Sequence, residues 1–194
     1  MVRIIADTST LYSTAQAQDA GFAVSPLSVT INEQTYREFD EISSEEFVSM
    51  IHQGHMPTSS QPAVGEVVSL YEEYAGDEIL NISMADGLSG TYSSAVAAAE
   101  LCEARERITV MNSKTLCGPH RHLVEQALRL AREGLDRSAI VEQLEALMAT
   151  EKSYLMPDDF AYLRPDAIYE VHPLSPAFIT QGGPSCVAIQ VIHN

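Results

Sequence analysis

Two short stretches carry most of the chemistry this chain can offer: Pro57-Thr58-Ser59-Ser60-Gln61-Pro62 and Leu88-Ser89-Gly90-Thr91. Residues 78–84 have the apolar content of a buried strand, Asp86-Gly87 makes a turn, and Ser89-Gly90-Thr91 stands where the next helix begins. The first amides of a helix lack intrahelical partners and lie at the positive end of the helix dipole. Glycine, serine and threonine in that position let an anion approach closely. The same residues also suit an ordinary N-cap. Pro62 fits the first position of a helix, which would make Thr58, Ser59 and Ser60 a second hydroxyl-bearing helix entry. Two such entries point to a shared oxyanion site if the fold brings them together. A third polar cluster, Asp7-Thr8-Ser9-Thr10, follows the first apolar run and reads either as a ligand contact or as a helix cap.

Covalent and metal chemistry find less support. Gly87-Leu88-Ser89-Gly90 begins like a nucleophile elbow, but that motif needs Gly-x-Ser-x-Gly and position 91 is Thr. No phosphate-binding loop of the Walker type is present, and no Gly-x-Gly-x-x-Gly follows the first strand. His52 and His55 have no third ligand in view, and His120 and His122 diverge on a helix. Asp158-Asp159 is a pair of neighbours that point apart, so it reads as a solvated helix start. No nucleophile, base and orienter assemble, so the chain reads as a non-enzyme with no catalytic residues, metal or cofactor. Cys102, Cys117 and Cys186 are an odd set without CxxC spacing, which fits reduced thiols in a cytoplasmic protein.

The elements that must hold these stretches alternate along the chain. Apolar runs at 2–6, 22–24, 27–31, 78–84 and 108–111 read as strands, with Pro26 at an edge or break. Helical patterns cover 11–20, closed by Gly21, and 44–53, where Ser43 and Glu46 form a capping box. Further helices are expected from Pro62 to Gly76, over 91–104, over 117–133 and over 138–150. Strands alternating with helices argue an α/β fold, three-layer αβα with a mostly parallel sheet. From Pro165 onward four prolines break the chain into short extended pieces, with a turn at Gly182-Gly183-Pro184 and a last strand over 186–192.

The chain has 194 residues, 45% of them apolar, and a formal net charge of −16. That length suits one domain or one and a half. The charge excludes nucleic acid as a partner, which needs clustered Lys and Arg, and disfavours an anionic membrane surface. A small anion must instead be held by local amides and hydroxyls. No apolar run has the length of a membrane span, and residues 1–6 are too short for a signal-peptide core.

Several stretches, in order, resemble the DegV family of fatty-acid-binding proteins. They are Asp7-Thr8-Ser9-Thr10, Pro26-Leu27, the Asp-x-Ile-Ser-x-Glu-x-Phe pattern within 36–47, Thr58-Ser59-Ser60-Gln61-Pro62, Leu88-Ser89-Gly90-Thr91-Tyr92, and Asp159-Phe160-Ala161-Tyr162-Leu163-Arg164. The resemblance covers roughly the first 164 residues. It implies a two-domain protein with a long-chain fatty acid in the crevice between domains and no catalytic machinery of its own. By that resemblance Thr58, Ser59 and Ser89 hold the carboxylate, with Gly90 and Thr91 as amide donors. The bound acid is then presented to a separate fatty acid kinase.

The resemblance also marks departures. After Arg164 the family continues with Gly-Gly-Arg and most of a second domain, where this chain has Pro165-Asp166. Residues 173–192 resemble the family's last strands, with Gln181 where the family turn has His. This gives a DegV-like α/β domain over 1–152 and a truncated remnant of the second domain over 153–194. Each buried acyl methylene contributes roughly 0.8 kcal/mol, so a thinner crevice wall implies weaker or altered lipid binding. An uncovered apolar face implies self-association, as a homodimer. The alternatives are a regulatory interaction protein that kept the fold, and a small serine hydrolase using Ser89.

Overall fold

Period-two alternation builds the central sheet. The computed structural model describes residues 1–149, 152–156, 176–182 and 187–191. Strands β1 (Val2–Asp7), β2 (Ala23–Ser25), β6 (Glu78–Ser83) and β7 (Ile108–Asn112) form a parallel sheet in the order β2-β1-β6-β7. Successive side chains leave opposite faces. Ile4, Ala6, Leu80 and Ile82 therefore meet one set of helices, α5 (Cys117–Arg132) and α6 (Arg137–Met148), through Leu123, Ala127, Ile140 and Leu144. Ile5, Ile79 and Ile108 meet the other set, α3 (Val64–Glu73) and α4 (Thr91–Leu101), through Val67, Tyr71, Ala98 and Ala99. The alanines let α4 lie close to the strands. This is the expected three-layer α/β arrangement.

One buried polar chain interrupts the second face. Asn81 donates its amide to the Tyr71 hydroxyl at 2.7 Å and accepts from the Ser83 hydroxyl at 3.1 Å. Tyr71 donates to the Ala95 carbonyl at 3.3 Å. Burial pushes the Tyr71 phenol up, against the amide from Asn81 that lowers it. Pairing of this kind is required, since an unsatisfied buried polar group costs about 1–3 kcal/mol.

The expected single sheet is incomplete. Pro26 marks where the chain leaves the parallel sheet for a second, antiparallel one, β4-β3-β5, made of β3 (Ser28–Ile31), β4 (Gln34–Arg37) and β5 (Thr58–Ser60). The hairpin between β3 and β4 turns on Asn32 and Glu33, both at positive φ (51° and 62°). That is the mirror-image turn whose twist matches paired strands. Helix α2 (Ser44–His52) packs on this sheet through Phe47, with Leu27, Val29 and Ile31. The same cluster takes in Met84 and Leu116, so it joins the small sheet to the upper edge of the large one.

Helix α1 (Thr14–Ala20) ends at Gly21 with φ 97°, as its pattern requires. Helix α4 stops at Leu101, three residues before the expected end, because Cys102 turns to extended dihedrals. Toward the C-terminus, β8 (Lys152–Met156) pairs antiparallel with β9 (Val187–Val191). Between them, α7 (Pro176–Gly182) stands where short extended pieces are expected. Pro176 serves as its first residue, a position where the missing N–H costs nothing. Ala177 and Ile179 of α7 join the cluster around Phe47. Asp158-Asp159, the family-like stretch over 159–164, residues 183–185 of the turn, and Cys186 lie outside the described residues.

The capping box of α2 yields a pH test. Ser43 Oγ accepts from the Glu46 amide at 3.2 Å, and the Glu46 carboxylate accepts from the Ser43 amide at 3.0 Å. The Ser43 hydroxyl also donates to that carboxylate, and these bonds hold the Glu46 carboxyl below its ordinary value. A depressed folded-state value means the cap stabilises fully above the unfolded value and fades as pH falls through the folded one. Thermal melts from pH 7 to pH 3 are expected to show a smaller acid-side loss for Glu46→Gln than for the wild type.

Candidate functional site

The loops above the C-terminal ends of the parallel strands meet around one carboxylate. Asp7 closes β1 with its side chain buried to 1% exposure. Its Oδ1 accepts from the Ser9 amide at 3.0 Å, capping the short 3-10 turn Thr8–Thr10. Its Oδ2 accepts from the Met84 amide at 2.9 Å, just past the end of β6. Of the two readings open for Asp7-Thr8-Ser9-Thr10, the cap is therefore realised: Asp7 caps this turn, while Ser13 caps α1. All four residues are buried.

A histidine reinforces this junction. His120, on the first turn of α5, is fully buried. Its Nε2 lies 2.8 Å from the Ile82 carbonyl and must carry the proton, since a carbonyl only accepts. Nδ1 is then the acceptor for the Ser9 hydroxyl at 2.7 Å. Asp7 Oδ1 stands 3.9 Å from Nδ1. Among the described residues, then, the serine that faces a histidine is Ser9, not Ser89. The spacing of His120 and His122 on the helix gave no hint of this pairing, which depends on β1 and α5 lying side by side. Sequence reasoning also missed Glu38. Its buried carboxylate accepts from the Thr8 hydroxyl and, at 3.0 Å, from the Ala177 amide of α7. Glu38 stands among other charged residues, Arg37, Asp40 and Glu41.

From Met84 the chain runs into the Ser89 loop. Ala85 donates to the Thr115 carbonyl at 2.9 Å, and the Ala85 carbonyl accepts from Leu88 and Ser89. Helix α4 begins at Thr91 with Gly90 as its N-cap and no capping side chain on that residue. Ser89 Oγ accepts from the Thr91 amide at 3.3 Å and lies 2.9 Å from the Thr91 hydroxyl. Ser89 and Gly90 are half-buried, while Thr91 is buried. Here the expected helix entry with clustered hydroxyls is present.

The second stretch differs from expectation. Thr58, Ser59 and Ser60 form strand β5, paired antiparallel with β3 in the register Thr30↔Thr58, Val29↔Ser59, Ser28↔Ser60. Helix α3 starts only at Val64, with Ala63 as N-cap, so Pro62 is not its first residue. Thr58 and Ser60 are exposed and Ser59 is half-exposed. The hydroxyls thus project from an edge strand, where pairing with β3 prevailed over the helix-start signal of Pro62.

The two stretches nevertheless meet. A Cβ built on Gly90 would lie 2.9 Å from Gln61 Cδ, 3.0 Å from its Nε2 and 3.1 Å from its Oε1. The carboxamide that follows β5 therefore rests on the Gly90 backbone at the head of α4. Residues 57–62 and 86–95 hold no Lys or Arg. What these loops can offer an anion is hydroxyls and amides, which suits an acceptor-only group such as a carboxylate. Two exposed large apolar side chains, Met56 and Leu88, adjoin the two stretches. A separate cavity of ≈ 710 Å³ lies beside the open edge of β7, between Tyr92, Met111, Lys114 and Met148. It touches none of the five expected binding residues.

Comparison with known proteins gives a consistent family. Residues 1–168 match the family described as "Uncharacterised protein, DegV family". A DegV domain-containing protein of Staphylococcus aureus is 34% identical over 155 residues, 79% of this chain and 55% of the relative. One from Halalkalibacterium halodurans is 31% identical over 166 residues, 84% of this chain and 58% of the relative. The chain thus spans a little over half the length of these relatives. Among solved structures, DegV of Bacillus subtilis, a fatty acid binding protein, superposes with a TM-score of 0.76 at 30% identity. A DegV family protein from Thermus thermophilus, described for its fatty acid binding, gives 0.76 at 25% identity. Each alignment covers 84% of this chain and 58% of the neighbour.

The Asp7 junction is testable. Asp7→Asn keeps one acceptor but turns an NH2 group toward either the Ser9 or the Met84 amide. A loss of about 1–3 kcal/mol in urea unfolding is expected for the resulting unpaired buried groups. An unchanged midpoint would show that Asp7 does not hold the strand ends.

Proposed function

The chain belongs to the DegV family, and from that premise we propose that it binds a long-chain fatty acid or a similar lipid carboxylate. The observation that carries this reading is the contact of Gln61 with Gly90, which sets two hydroxyl-bearing segments side by side at the start of α4. The family kinship and the fatty acids of the neighbours supply the ligand class. Thr58, Ser59 and Ser89 would hold the carboxylate, with Gly90 and Thr91 supplying amides at the positive end of α4. The acyl chain would run away from these donors, each buried methylene contributing roughly 0.8 kcal/mol.

The rest of the proposal follows the family logic. On this reading residues 1–152 would serve as the ligand-holding α/β domain and 153–194 as the remnant of a second domain. The protein works as a cytoplasmic carrier that presents its acid to an acyl kinase and performs no catalysis itself. Ser89 supports a binding role, since its partners are the Thr91 hydroxyl and amide. Its neighbours in the described residues give it no base, so the hydrolase alternative gains nothing from the geometry. A regulatory protein without a lipid is the competing reading.

Delipidated protein titrated with palmitate decides between them. Saturable binding is expected, and Ser89→Ala or Thr58→Val should weaken it about tenfold, the equivalent of one hydrogen bond to a charged group. Absence of binding in the wild type would overturn the carrier reading.

A second proposal rests on Met56 at 72% exposure and Leu88 at 42%, which border the two hydroxyl segments. We infer that this face pairs with a second copy of the chain. Light scattering is expected to show a dimer that Leu88→Ser weakens; a monomer at millimolar concentration would count against it.

A further inference from the structure

Strand β7 closes one side of the parallel sheet, and among the described residues it is paired only with β6. The cavity of ≈ 710 Å³ beside it is lined by every residue from Thr109 to Thr115 in succession. Successive strand residues face opposite sides of a sheet. A cavity that touches all of them therefore runs along the edge of the strand, where its free N–H and C=O groups stand, and not over one face. Tyr92 of α4 walls it on one side, and Val141, Glu145 and Met148 of α6 on the other. The two helix layers thus reach past β7 and leave a slot in the plane of the sheet.

Edge strands are normally blunted by charge, proline or a bulge. Ile108-Thr109-Val110-Met111-Asn112 contains no charged residue, no proline and no glycine. Charges lie just outside it. Glu106 stands four positions before Val110 and Lys114 four positions after, and both are exposed. The arginines that flank Glu106 are committed elsewhere, Arg105 to Glu100 and Arg107 to Glu72. Within the slot Lys114 and Glu145 balance, so its lining carries no net charge on a chain whose total is −16. Most of such a surface repels a second copy; this edge does not.

We propose that β7 pairs edge to edge with β7 of a second copy of this chain, antiparallel and centred on Val110, joining two four-stranded sheets into one. A two-fold axis makes two identical neighbouring strands antiparallel and their contacts reciprocal. Centring on Val110 sets Thr109 against Met111 of the second copy and Ile108 against Asn112. It also sets Glu106 against Lys114, twice over. Opposite charges across a strand pair stabilise it, and like charges destabilise it, so these two contacts select the register. The ladder supplies partners for main-chain groups that the edge leaves free. The inference does not depend on lipid binding, and it uses a different edge from the Met56–Leu88 face.

Disulfide trapping reads this register directly. Residues directly opposite in an antiparallel pair have Cα atoms about 4.5–5.5 Å apart, within disulfide reach, whereas diagonal positions stand about 7–8 Å apart. The whole chain carrying Val110→Cys, left to oxidise in air, is expected to give a linked dimer on a non-reducing gel. Thr109→Cys is expected to stay at the level of the wild type. Adding Lys114→Glu to Val110→Cys sets like charges opposite each other and should cut the linked fraction about tenfold. Adding Glu106→Lys as well exchanges the signs and should restore it. Leu88→Ser should leave the linkage unchanged. No linkage of Val110→Cys above the wild type would mean that the slot takes a small molecule or another protein's strand, and the inference is then wrong. Linkage of Thr109→Cys to the same extent, or a linked fraction unmoved by Lys114→Glu, would overturn it too. So would loss of linkage in Leu88→Ser, which would assign the contact to the other face. Should Val110→Cys fail to fold, sedimentation of Lys114→Glu against the double exchange carries the same test, since both side chains are exposed.

Discussion

One carboxylate holds the top of this molecule together. Asp7 ends β1 and takes two main-chain amides, one from its own turn and one from the residue after β6. Both amides would otherwise be unpaired where parallel strands stop and loops begin, a place where the ladder supplies no partner. By accepting both, Asp7 fixes the exit directions of two central strands at once. The Ser9–His120–Ile82 chain adds α5 to the same junction. Loops at this edge can then be held in place without long secondary structure of their own. In open parallel sheets this is the edge where ligands bind.

The electrostatic setting makes the candidate site unusual. A chain with net charge −16 repels anions at long range. Screening confines that repulsion to within about 8–10 Å at ordinary ionic strength. Inside that range the outcome depends on local donors, and the two hydroxyl segments carry no acidic residue between Pro57 and Pro62 or between Leu88 and Ala99. Neutral donors at the positive end of a helix therefore suffice to favour a carboxylate head group, while the tail contributes through apolar burial. The same arrangement offers little to a polyanion, whose many charges would meet the acidic surface elsewhere.

Legibility varied with the kind of signal. Helices with a local stop or start were readable: α1 closes at Gly21, and α2 opens with the Ser43–Glu46 box, because caps are built from residues three apart. The central strands were readable from short apolar runs flanked by turns. Pro62 misled, because a proline preceding a helical pattern can stand at its first position or one residue ahead of its cap. The antiparallel sheet was hidden for a related reason. Ser28–Ile31 and Thr58–Ser60 are about thirty residues apart, and nothing local says that they pair. The prolines near the C-terminus suggested extended chain, yet Pro176 begins α7.

The amino-acid order by itself determined the α/β class, the strand and helix alternation, the family, and which hydroxyl-bearing segments could meet an anion. Those properties rest on local periodicity and short motifs, which a chain carries before it folds. Tertiary structure decided that Thr58 and Ser59 lie on a strand, that Gln61 settles on Gly90, and that Ser9 faces His120. Each of these is a contact between residues from about thirty to more than a hundred positions apart, and such contacts exist only once the sheet order has set which loops are neighbours.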